Sequence, residues 1–101
     1  MTESDLTKKM ARLLRSRGGW ARKTHGGPQG AGWPDLIACY RGYFIGIEVK
    51  LPGKQQNVTD LQREVLVRIN AAGGYGDVMF QVSQVEELLD RIDKIMGPRK
   101  K

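Results

Sequence analysis

The stretch DLIACYRGYFIGIEVK, Asp35 to Lys50, decides how this chain folds. Leu36 to Tyr40 is a short apolar run, Arg41 and Gly42 make a tight turn, and Tyr43 to Lys50 is a second run rich in aromatic and β-branched residues. Those are the marks of two adjacent antiparallel strands. Side chains alternate along a strand, so Ile45, Ile47 and Val49 form one apolar row while Glu48 and Lys50 share the opposite face. With Gly46 beside them, Glu48 and Lys50 are expected at a place with little steric cover. Folding back at Arg41 and Gly42 returns Asp35 to the end of the sheet that carries Glu48 and Lys50.

Outward from this hairpin the periodicity changes. Leu6, Met10, Leu13 and Leu14 recur at helical spacing, which predicts a helix from Ser4 or Asp5 to Arg17, ended by Gly18 and Gly19. Trp20 to Thr24 reads as a short strand. The glycine-rich HGGPQGAGWPD that follows reads as a loop. Beyond Lys50, LPGKQQN is again loop, and Thr59 or Asp60 caps a helix to about Asn70 whose apolar positions are Leu61, Val65, Leu66 and Ile69. Gly73 and Gly74 end it. A strand is expected over Asp77 to Val82, and Ser83 with Glu86 has the spacing of a capping box ahead of Val85, Leu88, Leu89, Ile92 and Ile95. Gly97 and Pro98 stop that helix and release a basic tail. The order describes an α/β fold, a small mixed β-sheet flanked by helices, with residues 1–101 as one domain and the tail from about residue 97.

The chain has 101 residues and a formal net charge of +6, from 17 Lys and Arg against 11 Asp and Glu. Lys8, Lys9, Arg12, Arg15, Arg17, Arg22 and Lys23 crowd the first quarter, and Arg99, Lys100 and Lys101 close the chain. Clustered cations gain binding energy by releasing the condensed counterions of a polyanion, and a solvated basic surface is the plain alternative. The lone Cys39 excludes an intrachain disulfide and a multi-cysteine zinc site, and suits a reducing, intracellular compartment. No apolar run approaches the roughly 18 residues of a membrane span, so no membrane partner is expected.

Two carboxylates at one sheet end, Asp35 and Glu48, could each give an oxygen to a hard divalent cation such as Mg²⁺, with the Ile47 or Val49 carbonyl completing the protein's share. Such a centre suits phosphodiester hydrolysis, because the ion lowers the pKa of water and neutralises phosphate charge while Lys50 orients the attacking water. An isolated Glu-x-Lys is otherwise a surface ion pair. The context is what separates these readings. Gly32-Trp33-Pro34-Asp35, Gly46-Ile47-Glu48-Val49-Lys50 and Thr59-Asp60-Leu61-Gln62, in that order and spacing, resemble the VRR-NUC family of the PD-(D/E)xK nuclease superfamily. The likeness runs from Glu3 to the strand beyond Gly73 and Gly74.

That resemblance implies a restriction-endonuclease-like PD-(D/E)xK core and a metal-dependent endonuclease acting on DNA with Mg²⁺, or Mn²⁺ in its place. By it Asp35, Glu48, the Val49 carbonyl and Glu3 are metal ligands, Lys50 is the catalytic lysine, and Gln62 supports the centre. Asp5 is the rival of Glu3. The valine-arginine-arginine run of the family's name is missing here, which bears on subfamily and substrate. Short free-standing members, some phage-encoded and so at work in a host cytoplasm, resemble Holliday-junction resolvases and act as homodimers, implying a four-way junction or other branched DNA as partner. A non-catalytic basic DNA-binding or architectural protein is the alternative. His25 reads as an exposed loop residue, Gly26, Gly27, Gly30 and Gly32 match no phosphate-loop motif, and Trp33 reads as a packing residue. Arg12, Arg15, Arg17, Arg22 and Lys23 are the candidates for phosphate contacts.

Overall fold

A computed structural model of the chain describes residues 1–24 and 31–99. His25, Gly26, Gly27, Gly30, Lys100 and Lys101, singled out above, lie outside the described residues. The elements are α1 (Glu3–Ser16), β1 (Trp20–Lys23), β2 (Leu36–Tyr40), β3 (Tyr43–Val49), α2 (Asp60–Ala71), β4 (Tyr75–Met79) and α3 (Val82–Met96). The strands form one mixed sheet in the order β1-β2-β3-β4. The first three are antiparallel neighbours, and β4 runs parallel to β3 after the α2 crossover. This is the small mixed sheet flanked by helices expected from the sequence.

The β2–β3 hairpin closes at Arg41 and Gly42, both with positive φ (50° and 90°), as the twist-matched two-residue turn requires. Arg41 is an unusual occupant of that conformation. Its guanidinium donates to Asp93 Oδ1 at 3.1 Å, and Asp93 also accepts from Tyr40 Oη (2.9 and 3.1 Å) and from Arg17 Nη2 (2.9 Å). One carboxylate thereby ties the turn, the end of α1 and α3 together.

Leu36 faces Ile47 and Ala38 faces Ile45 across the hairpin, while Val49 faces Met79 on the other side. This row, with Ala21 and Tyr40, is buried against Leu6, Met10 and Leu14 of α1 and Val85, Leu88, Leu89 and Ile92 of α3. Removing that much aliphatic surface from water is the main driving force of the fold. Helix α2 covers β3 and β4 from the opposite face. There side chains press onto the strand: a Cβ on Gly46 would lie 2.7 Å from Ile69 Cδ1 and 2.9 Å from Pro34 Cγ.

Four expectations need correcting. Helix α1 starts earlier than Ser4 or Asp5, because Thr2 is its cap: Thr2 Oγ1 accepts from the Asp5 N–H at 3.1 Å and Asp5 Oδ2 accepts from the Thr2 N–H at 3.0 Å. Strand β4 begins at Tyr75 instead of Asp77, since Gly73 (φ 96°) turns the chain straight back and Asn70 holds Gly76 through both of its backbone groups at 2.7 and 3.0 Å. Ser83 does not cap α3; Gln84 Oε1 accepts from the N–H groups of Phe80 (2.7 Å) and Gln81 (3.0 Å), two residues ahead of the expected position. Arg99, at the start of the tail, is not released, for it donates to the Arg17 carbonyl at 2.8 Å and lies over the Tyr40 ring at 5.1 Å.

Candidate active site

Strand β2 ends one residue short of Asp35, while β3 continues through Val49. The Val49 N–H points toward the side that β2 has vacated, and Asp35 Oδ2 accepts from it at 2.9 Å. The carbonyl of a strand residue points to the same side as its own N–H, so the Val49 oxygen also faces the Asp35 end. On the other strand side the Lys50 N–H donates to the Met79 carbonyl at 3.0 Å. Lys50 is thus held by parallel pairing at the exit of β3, half-buried beside Glu48.

Glu48 is not openly presented. Its residue is 1% exposed, roofed by the first turns of α2. The sequence places Glu48 on the Gly46 face correctly, but that face is covered, because Gly46 lets α2 and Pro34 descend onto the strand. Gln62 reaches it from the helix: Nε2 donates to Glu48 Oε1 at 3.2 Å, and Oε1 of the same amide accepts from the Thr59 N–H at 2.9 Å. The cap fixes which way the amide faces. Its oxygen is committed to the helix terminus, so its nitrogen must face the carboxylate.

The second carboxylate oxygen, Glu48 Oε2, is buried with no hydrogen-bond partner. Burial, followed by the proximity and charge of Asp35, pushes the Glu48 carboxyl up to about 8, against a downward pull from Lys50 and a further upward push from Glu3. Asp35 and Glu48 are therefore electrostatic neighbours at the strand end, and Glu3 lies near enough for its charge to be felt. Asp5, the rival acid, is engaged in the cap, where the Thr2 hydrogen bonds hold its carboxyl below the usual range. Among the described residues no group of three or more His, Cys, Asp or Glu is gathered closely enough to hold an ion. Glu3 is an electrostatic neighbour of the Asp35 and Glu48 pair in this arrangement.

A hard cation fits this donor set. Two carboxylates lie at one strand end, one buried oxygen of Glu48 lacks a partner, and a backbone carbonyl faces the same gap; each is a ligand type that Mg²⁺ accepts.

The basic residues divide. Arg15 donates to the Ala21 carbonyl (2.8 Å), Arg17 is paired with Asp90 and Asp93 (both 2.9 Å), and Lys23 bonds to Ser4 Oγ, so these serve the fold. Arg12 and Arg22 are exposed. Trp33, expected to pack, is 56% exposed.

No family model matches the sequence, and no curated protein matches it. A solved structure described as a "VRR_NUC domain" is similar, with a TM-score of 0.64 and 27% sequence identity over 89% of this chain and 97% of that one.

Proposed function

We propose, on the premise that this chain is a nuclease domain of the VRR-NUC family, that it is a Mg²⁺-dependent endonuclease cutting DNA phosphodiester bonds at the Asp35, Glu48 and Lys50 centre. The observation that carries this reading is the unpartnered, buried Glu48 Oε2 held against Asp35 at the strand end. Asp35, Glu48 and the Val49 carbonyl would hold the ion, with Glu3 adding negative charge nearby. When bound, the cation neutralises phosphate charge and acidifies water.

The chain's own residues do the rest. Glu48 must give up its proton before Oε2 can act as a ligand, and Gln62 keeps the other oxygen in place while it does so. Lys50, fixed through its backbone to β4, offers an ammonium to the attacking water and to the charge that builds on the phosphate. Water adds to phosphorus, the bond to one ester oxygen breaks, and that oxygen leaves with a proton. Exposed Arg12 and Arg22 remain for phosphate contacts that orient the substrate.

Branched or four-way-junction DNA is the proposed substrate, handled by a homodimer with one centre per subunit. Among the described residues no helix is long and apolar enough to cross a membrane. The test is incubation of the purified protein with plasmid and with a four-way junction, with Mg²⁺, with Mn²⁺ and with chelator. Cutting is expected only with the ion and is expected to vanish in Lys50→Ala. DNA binding without cutting, indifferent to chelator and to Glu48→Gln, would establish the non-catalytic DNA-binding reading instead.

A further inference from the structure

The segment LPGKQQNVT, Leu51 to Thr59, leaves the centre and returns to it. It starts after Lys50, whose N–H donates to the Met79 carbonyl, and ends at Thr59, whose N–H is held by the same Gln62 amide that reaches Glu48. Both ends are anchored in apolar surroundings as well: Leu51 packs against the core and Val58 is buried. Between them the chain makes two successive turns. Leu51-Pro52-Gly53-Lys54 has proline second and glycine third with φ 89°, the pattern of a type II turn, and the Lys54 N–H closes it on the Leu51 carbonyl at 2.9 Å. The Asn57 N–H closes the second on the Lys54 carbonyl at 3.0 Å. A Cβ on Gly53 would meet nothing within 4 Å, so the first turn stands clear of the body.

The turns display one cation and a run of amides. Lys54, Gln56 and Asn57 are exposed, and Gln55 between them is half-buried. No Asp or Glu lies between Glu48 and Asp60, whereas Lys50 and Lys54 do; Asp60 and Arg63, in the first turn of α2, offset one another. Gln55 Oε1 is buried without a hydrogen-bond partner. An unpaired buried acceptor costs stability, and a fold keeps such a cost where the sequence answers to something besides packing.

We infer that this double-turn loop enters the major groove of duplex DNA beside the bond to be cut and reads base edges there through Gln56 and Asn57, with Lys54 on the backbone. The inference rests on the nuclease reading above and adds a sequence preference to it. Amides point to bases and not to phosphates. A phosphate offers acceptors alone and engages only the NH₂ half of an amide, whereas the N7 and N6 amino group of adenine engage both halves at once. Reach limits where the preference falls. The loop of residues 51–58 has both ends fixed at the centre, so it projects by four residues at most, about 13 Å when extended. That is roughly four steps of stacked bases, and the bases read lie within about four pairs of the cut.

The experiment gives the full chain four-way junctions whose arms are randomised about the crossover. Products formed with Mg²⁺ are sequenced at their new ends, and in a separate arm the pool bound in chelator is recovered and sequenced. Expected is a bias toward adenine of about fivefold or more at one or two positions within four pairs of the cut, present in both pools. Gln56→Ala and Asn57→Ala each flatten it at one position. Gln56→Glu moves the preference there toward cytosine, whose N4 amino group donates to a carboxylate; a loop with a purely structural role would show no such transfer. Lys54→Ala weakens binding to all sequences alike and lowers the slope of log affinity against log salt by about 1. Products and bound pool without bias overturn the inference, as does a bias that survives both alanine variants or lies farther along the arm. The two arms keep it apart from the nuclease reading: biased binding without cutting supports the loop's role and removes the nuclease, while unbiased cutting does the reverse.

Discussion

Replacing Gly46 by Ala adds one methyl group at the point where the Asp35 segment, α2 and β3 converge. The φ of Gly46 lies outside the left-handed region, so alanine meets no backbone strain, and in an open strand the change would gain about 0.5–1 kcal/mol. Here the new Cβ would sit 2.7 Å from Ile69 Cδ1 and 2.9 Å from Pro34 Cγ. Ile69 can rotate its terminal methyl away, but the Pro34 ring has no such freedom. Overpacking of this kind costs about 1–3 kcal/mol, leaving a net loss near 1 kcal/mol. For a chain of this length that lowers Tm by roughly 4–8 °C. The relief must come from moving Pro34, and with it Asp35, or α2, and with it Gln62. A shift on the order of 1 Å would reduce cutting about a hundredfold at a temperature well below Tm. Thermal melting and junction cleavage of Gly46→Ala check both halves. A Tm equal to or above that of the parent would refute the packing described for this face.

Two further predictions concern Glu48. Its carboxyl in the metal-free protein titrates near 8, above its ordinary 4.5, so the folded state keeps a proton that the unfolded chain releases. Stability from this group is complete below about pH 4.5 and is lost as pH climbs toward 8. Urea midpoints in chelator should fall over that window and be flatter in Glu48→Gln; parallel pH profiles for the two proteins would contradict it. Gln62→Leu removes both the acceptor for the Thr59 N–H and the donor to Glu48 Oε1, and is expected to cost about 1–2 kcal/mol in denaturant titration and at least tenfold in cleavage rate.

The hairpin was legible because alternation in Phe44 to Val49 and the Arg41–Gly42 turn are local signals, and Asp35 meets Glu48 as a consequence of that turn alone. The α1 and α3 core faces were legible for the same reason. What was hidden depends on contacts between distant segments. Tyr75 and Gly76 follow two glycines and read as turn residues, yet parallel pairing with Ile45 and Gly46 makes them strand. Glu48 sits on the expected face, but its burial depends on how far α2 descends, which is decided by Gly46 and Gly76 and not by the strand itself. Thr2 and Asp5 carry the capping-box spacing ahead of α1, so that start was legible and was overlooked, whereas the Gln81–Gln84 pair that opens α3 lacks a Ser or Thr to announce it. Gln62 was placed beside the centre through the family resemblance alone; its position three residues after Thr59, which makes the capping box, was the local signal left unread.

The bond from the Val49 amide to Asp35 has a bearing on how this protein should be disabled. At that point a side chain takes over from a strand that has run out, so one carboxylate is both a rung of the sheet and half of the proposed reactive pair. Truncating it to alanine would unzip the last rung and move Glu48 along with it, and an inert product would say nothing about chemistry. Asparagine keeps an oxygen for the amide while discarding the negative charge, and is the substitution that separates scaffold from reagent.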